Sequence, residues 1–308
     1  MNLPSTPVAW AIHLSQIVRI FHDAHGLDRF PIKVAPLAKE YSRQVFPDAP
    51  ITLVDGMEFS LNFDGMLMPS PNGDGEWGIV YNKSIRSPGR INFTLAHELG
   101  HYLLHRHISP TGIQCGSREM LDWRSELGAI EAQANTFASY LLMPLDDFRQ
   151  QIAGETISLE LLRHIADRYE VSITAAILKW LDITPQRAML VIGKSGFIDW
   201  ARSSDSLMRS GVFYRARQQI TPLPELSLAA GNGLAIGAYG EAKHPRGVWP
   251  GNEDVHEMTI FSQMNEMTIT LLVYPNDASD KRWADELDEP PEQDTYDRFT
   301  SDGRGVVR

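Results

Sequence analysis

The chain carries His97-Glu98-Leu99-Gly100-His101. On an α-helix, positions i and i+4 share one face and lie ~6 Å apart along the axis. Two imidazoles so placed can converge on one zinc ion. Glu98 is offset by one residue, so it can reach a water beside the metal without ligating, which is the position of a general base. Chance produces this pentad often enough that its surroundings must decide. Phe93, Ala96, Leu99, Gly100, Leu103 and Leu104 supply the apolar positions of a buried helix, and between Ile91 and His105 Glu98 is the sole Asp, Glu, Lys or Arg. A carboxylate alone in such a helix is costly unless it has a partner.

A catalytic zinc site needs a third protein ligand and an open position. His105 continues the spacing but lies ~12 Å along the axis from His97. Bonds of ~2 Å to one ion cannot span that, so His105 reads as a surface residue or one that supports a ligand from behind. His107 completes a spacing in which glycine at the seventh position turns the chain back to the metal. Here that position is Leu104, so the helix should continue and carry His107 away. The third candidate is Glu131, which shares a helix face with Asn135. Glu131 can ligate while Asn135 hydrogen-bonds a ligand, and Ala132, Ala134 and Ala138 permit close helix approach. Glu126 competes locally, and spacing alone does not reject a solvated Glu131.

These residues need elements to place them. Pro4 and Pro7 open a helix that runs to His25 and stops at Gly26. A second helix covers 34–44. Strand-like runs follow at 51–54, 57–63 and 78–81, with a turn cluster at 69–75 and a break at Ser87-Pro88-Gly89. The run 78–82 is either an edge strand open to an extended substrate or an interior strand. Helical patterns cover 91–106 and 126–142, the latter ended by Pro144, then 159–169 and 172–181. Past Pro185 the runs 188–192, 233–238, 258–261 and 267–274 look like strands. The expectation is an α+β protein: residues 1–184 mostly helical with a small sheet, 185–275 a β-rich accessory domain, and 276–308 a flexible acidic tail.

Composition narrows the function. The chain has 308 residues and a net charge of −11, which gives no bulk attraction for nucleic acid or an anionic membrane. Cys115 is the one cysteine, so no internal disulfide framework exists. It lies between the two metal-bearing helices, where it could approach the metal or simply act as a small apolar residue. No stretch approaches the ~18–20 apolar residues of a spanning helix, and the N-terminus reads as an amphipathic helix and not a leader. A cytoplasmic protein is expected. Residues 161–178 resemble a helix-turn-helix core with Val171-Ser172 at the turn, but the second helix offers only Lys179 as a basic residue. Packing within the protein is therefore expected there, and direct DNA binding is not. Residues 186–275 show no catalytic cluster, and Trp200, Phe213, Tyr214 and Trp249 read as core.

The blocks INFTLAHELGHYLLH (91–105) and EAQANTFASYLLMP (131–144) together resemble the ImmA/IrrE family of metallo-endopeptidases. The likeness extends over about residues 7–182. It implies a zincin-like protease domain with His97, His101 and Glu131 as zinc ligands and Glu98 as general base; Mn2+ or Fe2+ can also occupy such a site. It further implies a protein substrate, a helix-turn-helix repressor whose cleavage relieves repression of stress-response or mobile-element genes. The family often carries a second Glu where this chain has Gln133. Two other readings stay open. One is a regulatory binding protein that sequesters a repressor or toxin around a structural metal. The other is a zinc hydrolase of small peptides. Tyr81, Tyr102 and His105 are the nearby candidates for an oxyanion donor.

Overall fold

A computed structural model describes residues 3–59, 63–108, 113–116, 126–215, 220–231, 237–262 and 267–276. The chain divides into two compact units. Among the described residues, the first takes in those up to 157 together with 161–175, and the second holds 158–160 and 176–276. The division falls inside the helix Ile173–Leu181, ahead of the composition shift at Pro185.

In the first unit, helix α1 (Pro7–His25) starts where the Thr6 side chain accepts from the Ala9 amide and ends at Gly26 in the left-handed region. Its face Trp10, Leu14 and Val18 is buried. Helix α2 (Val34–Val45) buries Val34, Ala38 and Tyr41. Strands β1 (Ile51–Met57), β2 (Phe63–Pro69) and β3 (Trp77–Asn82) precede helix α3 (Pro88–His105), and strand β4 (Ile113–Gly116) follows it. The sheet order is β1-β3-β2-β4. β1 pairs parallel with β3, and β2 pairs antiparallel with both β3 and β4.

In this sheet one open alternative is decided and one expected strand changes. β3 is interior, bonded on both sides, so it offers no free edge. Met57 closes β1 while Phe63 opens β2, which runs on to Pro69; residues 60–62 of the expected strand 57–63 lie outside the described residues. Among the described residues, β4 pairs with β2 alone and stands at the sheet's end.

Helix α4 (Glu126–Leu142) is followed at once by a helix the periodicity does not predict, α5 (Leu145–Ile152). Pro144 stops one helix and stands as N-cap of the next, whose first turn carries Asp146 and Asp147. Asp147 then ties α5 to α6 (Leu159–Tyr169): it accepts from Arg168 Nε at 2.7 Å and Nη2 at 2.8 Å, and from Tyr169 Oη at 2.6 Å. Burial acts upward on Asp147, but these bonds hold its carboxyl below the usual range. In α7 (Ile173–Leu181) no residue is exposed, unlike a helix that reads bases.

The second unit is a five-stranded antiparallel sheet. Strands β5 (Ala188–Lys194), β6 (Phe197–Ser203), β7 (Tyr239–His244), β8 (Val255–Ser262) and β9 (Met267–Val273) lie in the order β6-β5-β9-β8-β7. Trp249 is in its core with Met189, Val191, Leu207 and Leu272, and Tyr214 packs against them. Trp200 and Phe213 are only half-buried. Residues 233–236 of the expected strand 233–238 and the acidic tail past residue 276 lie outside the described residues; β7 begins at Tyr239.

Candidate metal centre

Helix α3 starts where Ser87 accepts from the Arg90 amide and Pro88 enters the first turn. Leu95, Ala96, Leu99, Tyr102 and Leu103 bury one side of it. Gly100 faces α4: a Cβ there would stand 2.9 Å from Phe137 Cδ1 and 3.2 Å from Ala134 Cα. The missing side chain is what lets the two helices approach closely, and that approach carries Glu131 to the histidines.

The three side chains meet. Glu131 Oε2 lies 3.1 Å from His97 Nε2, and Oε1 lies 3.3 Å from His101 Nε2. The two Nε2 atoms are 3.0 Å apart. His97, His101 and Glu131 are all buried, each offering a ligand atom within 4.8 Å of the others. His97 Nδ1 donates to Asn135 Oδ1 at 2.9 Å, so the neutral ring keeps its lone pair on Nε2. Two ring nitrogens this close, both turned to one carboxylate, need a proton or a cation between them. Two imidazoles and a carboxylate form a donor set suited to zinc at a site with an open position.

Electrostatics agree with that reading. In His101 burial dominates and pulls the imidazole down to about 4. In His97 burial also acts downward, but the hydrogen bond and charge of Glu131 and the charge of Glu98 leave it above its ordinary value. Burial acts upward on Glu131, yet its bonds from His101 and His97 hold the carboxyl well below the usual range. Glu131 is therefore the ionised carboxylate of the centre, and His97 is the ring that best competes for a proton.

Glu98 is fully buried. It lies against β2 at Gly65, where a Cβ would stand 2.9 Å from Glu98 Oε1 and 2.4 Å from Thr94 Cγ2. The strand can press onto α3 at this point because residue 65 has no side chain.

The other candidates separate. His105 is buried behind His101 and is not a surface residue; their Nδ1 atoms are 3.0 Å apart. His107 is exposed past the end of α3. Tyr102 donates to the Ala49 carbonyl at 2.5 Å and stacks edge-on with Trp77 and Phe46, so it is engaged away from the metal ligands. Tyr81 is half-buried on β3. The side chains of Glu126 and Cys115 lie outside the described residues, although the backbone of Cys115 belongs to β4 and pairs with Gly65. The roles of Gly100 and Gly65 are not visible in spacing. The signal for Gly100 is faint: a glycine between two histidine ligands, opposite a helix rich in alanine.

No curated protein matches the chain. Residues 62–181, which span β2 to α7, match the IrrE N-terminal-like domain, a peptidase family. This stretch holds His97, Glu98, His101 and Glu131, and its match supports membership of the ImmA/IrrE family for the domain that carries them.

Proposed function

We propose that the protein is a zinc-dependent endopeptidase that cleaves a helix-turn-helix repressor. One observation carries the reading: two histidine nitrogens and a carboxylate converge, with Glu98 one residue along the same helix. His97, His101 and Glu131 would hold the ion; zinc is the favoured occupant, with Mn2+ or Fe2+ compatible with the same donors. When bound, the ion supplies Lewis acidity and acidifies water. Glu98 takes the proton from the attacking water and returns it to the leaving amine. Asn135 holds the His97 ring in place from behind. β4, paired on one side among the described residues, offers backbone groups to an extended segment of substrate. The repressor as substrate and the relief of stress-response or mobile-element genes follow from family resemblance.

The burial of all three ligands favours a second reading, a regulatory binding protein with a structural metal. Glu98→Gln separates the two. Expected is one equivalent of zinc in both wild type and variant, with cleavage of a cognate repressor slowed by ~10²–10⁴-fold in the variant. Equal cleavage rates would remove Glu98 from the chemistry. An intact repressor held stoichiometrically by wild type would favour the binding-protein reading.

A further inference from the structure

Two side chains extend the centre away from Glu131. His101 Nδ1 lies 3.0 Å from His105 Nδ1, and His105 Nε2 lies 3.1 Å from Gln133 Oε1. His101 is fully buried and His105 is 3% exposed, so neither ring has bulk water as an alternative partner. A neutral imidazole has one N–H and one lone pair. The row Gln133, His105, His101 therefore has two self-consistent settings. With the Gln133 carbonyl oxygen facing His105, the hydrogen of His105 sits on Nε2 and its Nδ1 accepts. His101 then donates from Nδ1 and keeps a bare Nε2 toward His97 and Glu131. With the Gln133 amide nitrogen facing His105, every hydrogen moves one place, and His101 Nε2 carries a hydrogen where a ligand atom must be bare.

We propose that Gln133 and His105 form a relay that fixes the tautomer of His101 and so readies its Nε2 as a ligand. This rests on reading His97, His101 and Glu131 as a metal centre. Gln133 and His105 are positioning residues: they touch neither metal nor substrate and act through His101. The acceptor at position 133 reaches the centre across two helices, since Gln133 is on α4 and both histidines are on α3. Partners of this kind typically change metal affinity by ~10–100-fold when removed. Gln133 ends the row, so the atom it turns to His105 sets which nitrogen of each ring carries the hydrogen.

The test uses the full chain with Gln133→Glu, an acceptor only, and Gln133→Leu, which removes the acceptor without adding charge. Gln133 is exposed overall, so neither substitution threatens the core. Zinc affinity is read by chelator competition, and histidine ring tautomers by long-range proton–nitrogen NMR. Expected is a hydrogen on His105 Nε2 in wild type, wild-type zinc affinity or better in the Glu variant, and affinity weakened ~10-fold or more in the Leu variant. In a His105→Phe background the Glu and Leu variants should bind zinc alike, because the route to His101 is gone. A hydrogen on His105 Nδ1, or equal affinity in wild type and the Leu variant, overturns the relay. Failure of wild type to take up zinc overturns the metal-centre reading instead, and the His105 tautomer in metal-free protein still decides the relay.

Discussion

His97 and His101 face the same carboxylate but hold protons unequally. His101 is lowered to about 4 by burial, whereas His97 is raised by Glu131 and Glu98. Metal ligands must be deprotonated, so protons compete with the metal. Above about pH 5 His101 is already free, and the competing proton is the one on His97. Zinc affinity should then fall as pH falls through the raised His97 value, with log affinity losing about one unit per pH unit. Chelator competition at several pH values reads this slope. A slope near two would mean that both rings give up protons together and that the assigned asymmetry is wrong. At this scale the sequence is unusually legible. The i, i+4 spacing of His97 and His101 and the offset of Glu98 are properties of one helix, and a helix has a known period. Glu131 needed a family resemblance because its place depends on how two helices pack. Gln133 stands out in the sequence only as a departure from the Glu the resemblance leads one to expect, since its partner His105 lies 28 positions away in the chain.

The elements matter through two glycines that have no side chain to spend. Gly100 sets the separation of α3 and α4, because its Cβ would meet Phe137 and Ala134, both fully buried. Gly100→Ala should cost about 1–3 kcal/mol by overpacking. It should also weaken zinc binding, because the shift that relieves the clash draws Glu131 away from both histidines. Thermal unfolding and zinc titration measure the two effects, and unweakened zinc binding would mean that the helix separation does not place Glu131. Gly65 acts differently. A Cβ there meets Glu98 and Thr94 but none of the three ligands. Gly65→Ala should leave zinc stoichiometry intact and slow cleavage by ~10–10²-fold, since an ångström of misplacement can cost that much. Loss of zinc in this variant would show that β2 supports the ligands and not the base alone. The same contrast explains which elements were readable. α1 and α3 have side-chain N-caps at Thr6 and Ser87, and α2 buries Val34, Ala38 and Tyr41 at helical spacing. β2 was hidden because Gly65, Met66 and Met68 carry no alternation, and α5 because Pro144 signals a stop as readily as a start. The interior position of β3 is a matter of pairing with β1 and β2, which no local pattern encodes.

Across the whole molecule, each unit has its own means of staying folded. In the second unit the centre is Glu257, fully buried on β8. It accepts from Trp249 Nε1 at 3.0 Å, from the Ala229 amide at 2.9 Å and from Thr259 Oγ1 at 2.6 Å, and His244 Nε2 stands 2.7 Å away. One carboxylate thus gathers a strand, a helical turn and a tryptophan. Glu257→Gln replaces an acceptor by a donor among donors, and leaving those groups unpaired should cost on the order of 2–3 kcal/mol. The metal ligands belong to the first unit. Zinc at about a hundred times its Kd adds ~2.7 kcal/mol to the state that binds it. Calorimetry of the full chain should therefore show two transitions. Zinc should raise one by roughly 5–10 °C, and Glu257→Gln should lower the other by roughly 10–20 °C. A single transition that answers to both zinc and Glu257→Gln would mean that the units unfold together, and substitutions in the β-rich unit would then be expected to reach the metal centre through stability.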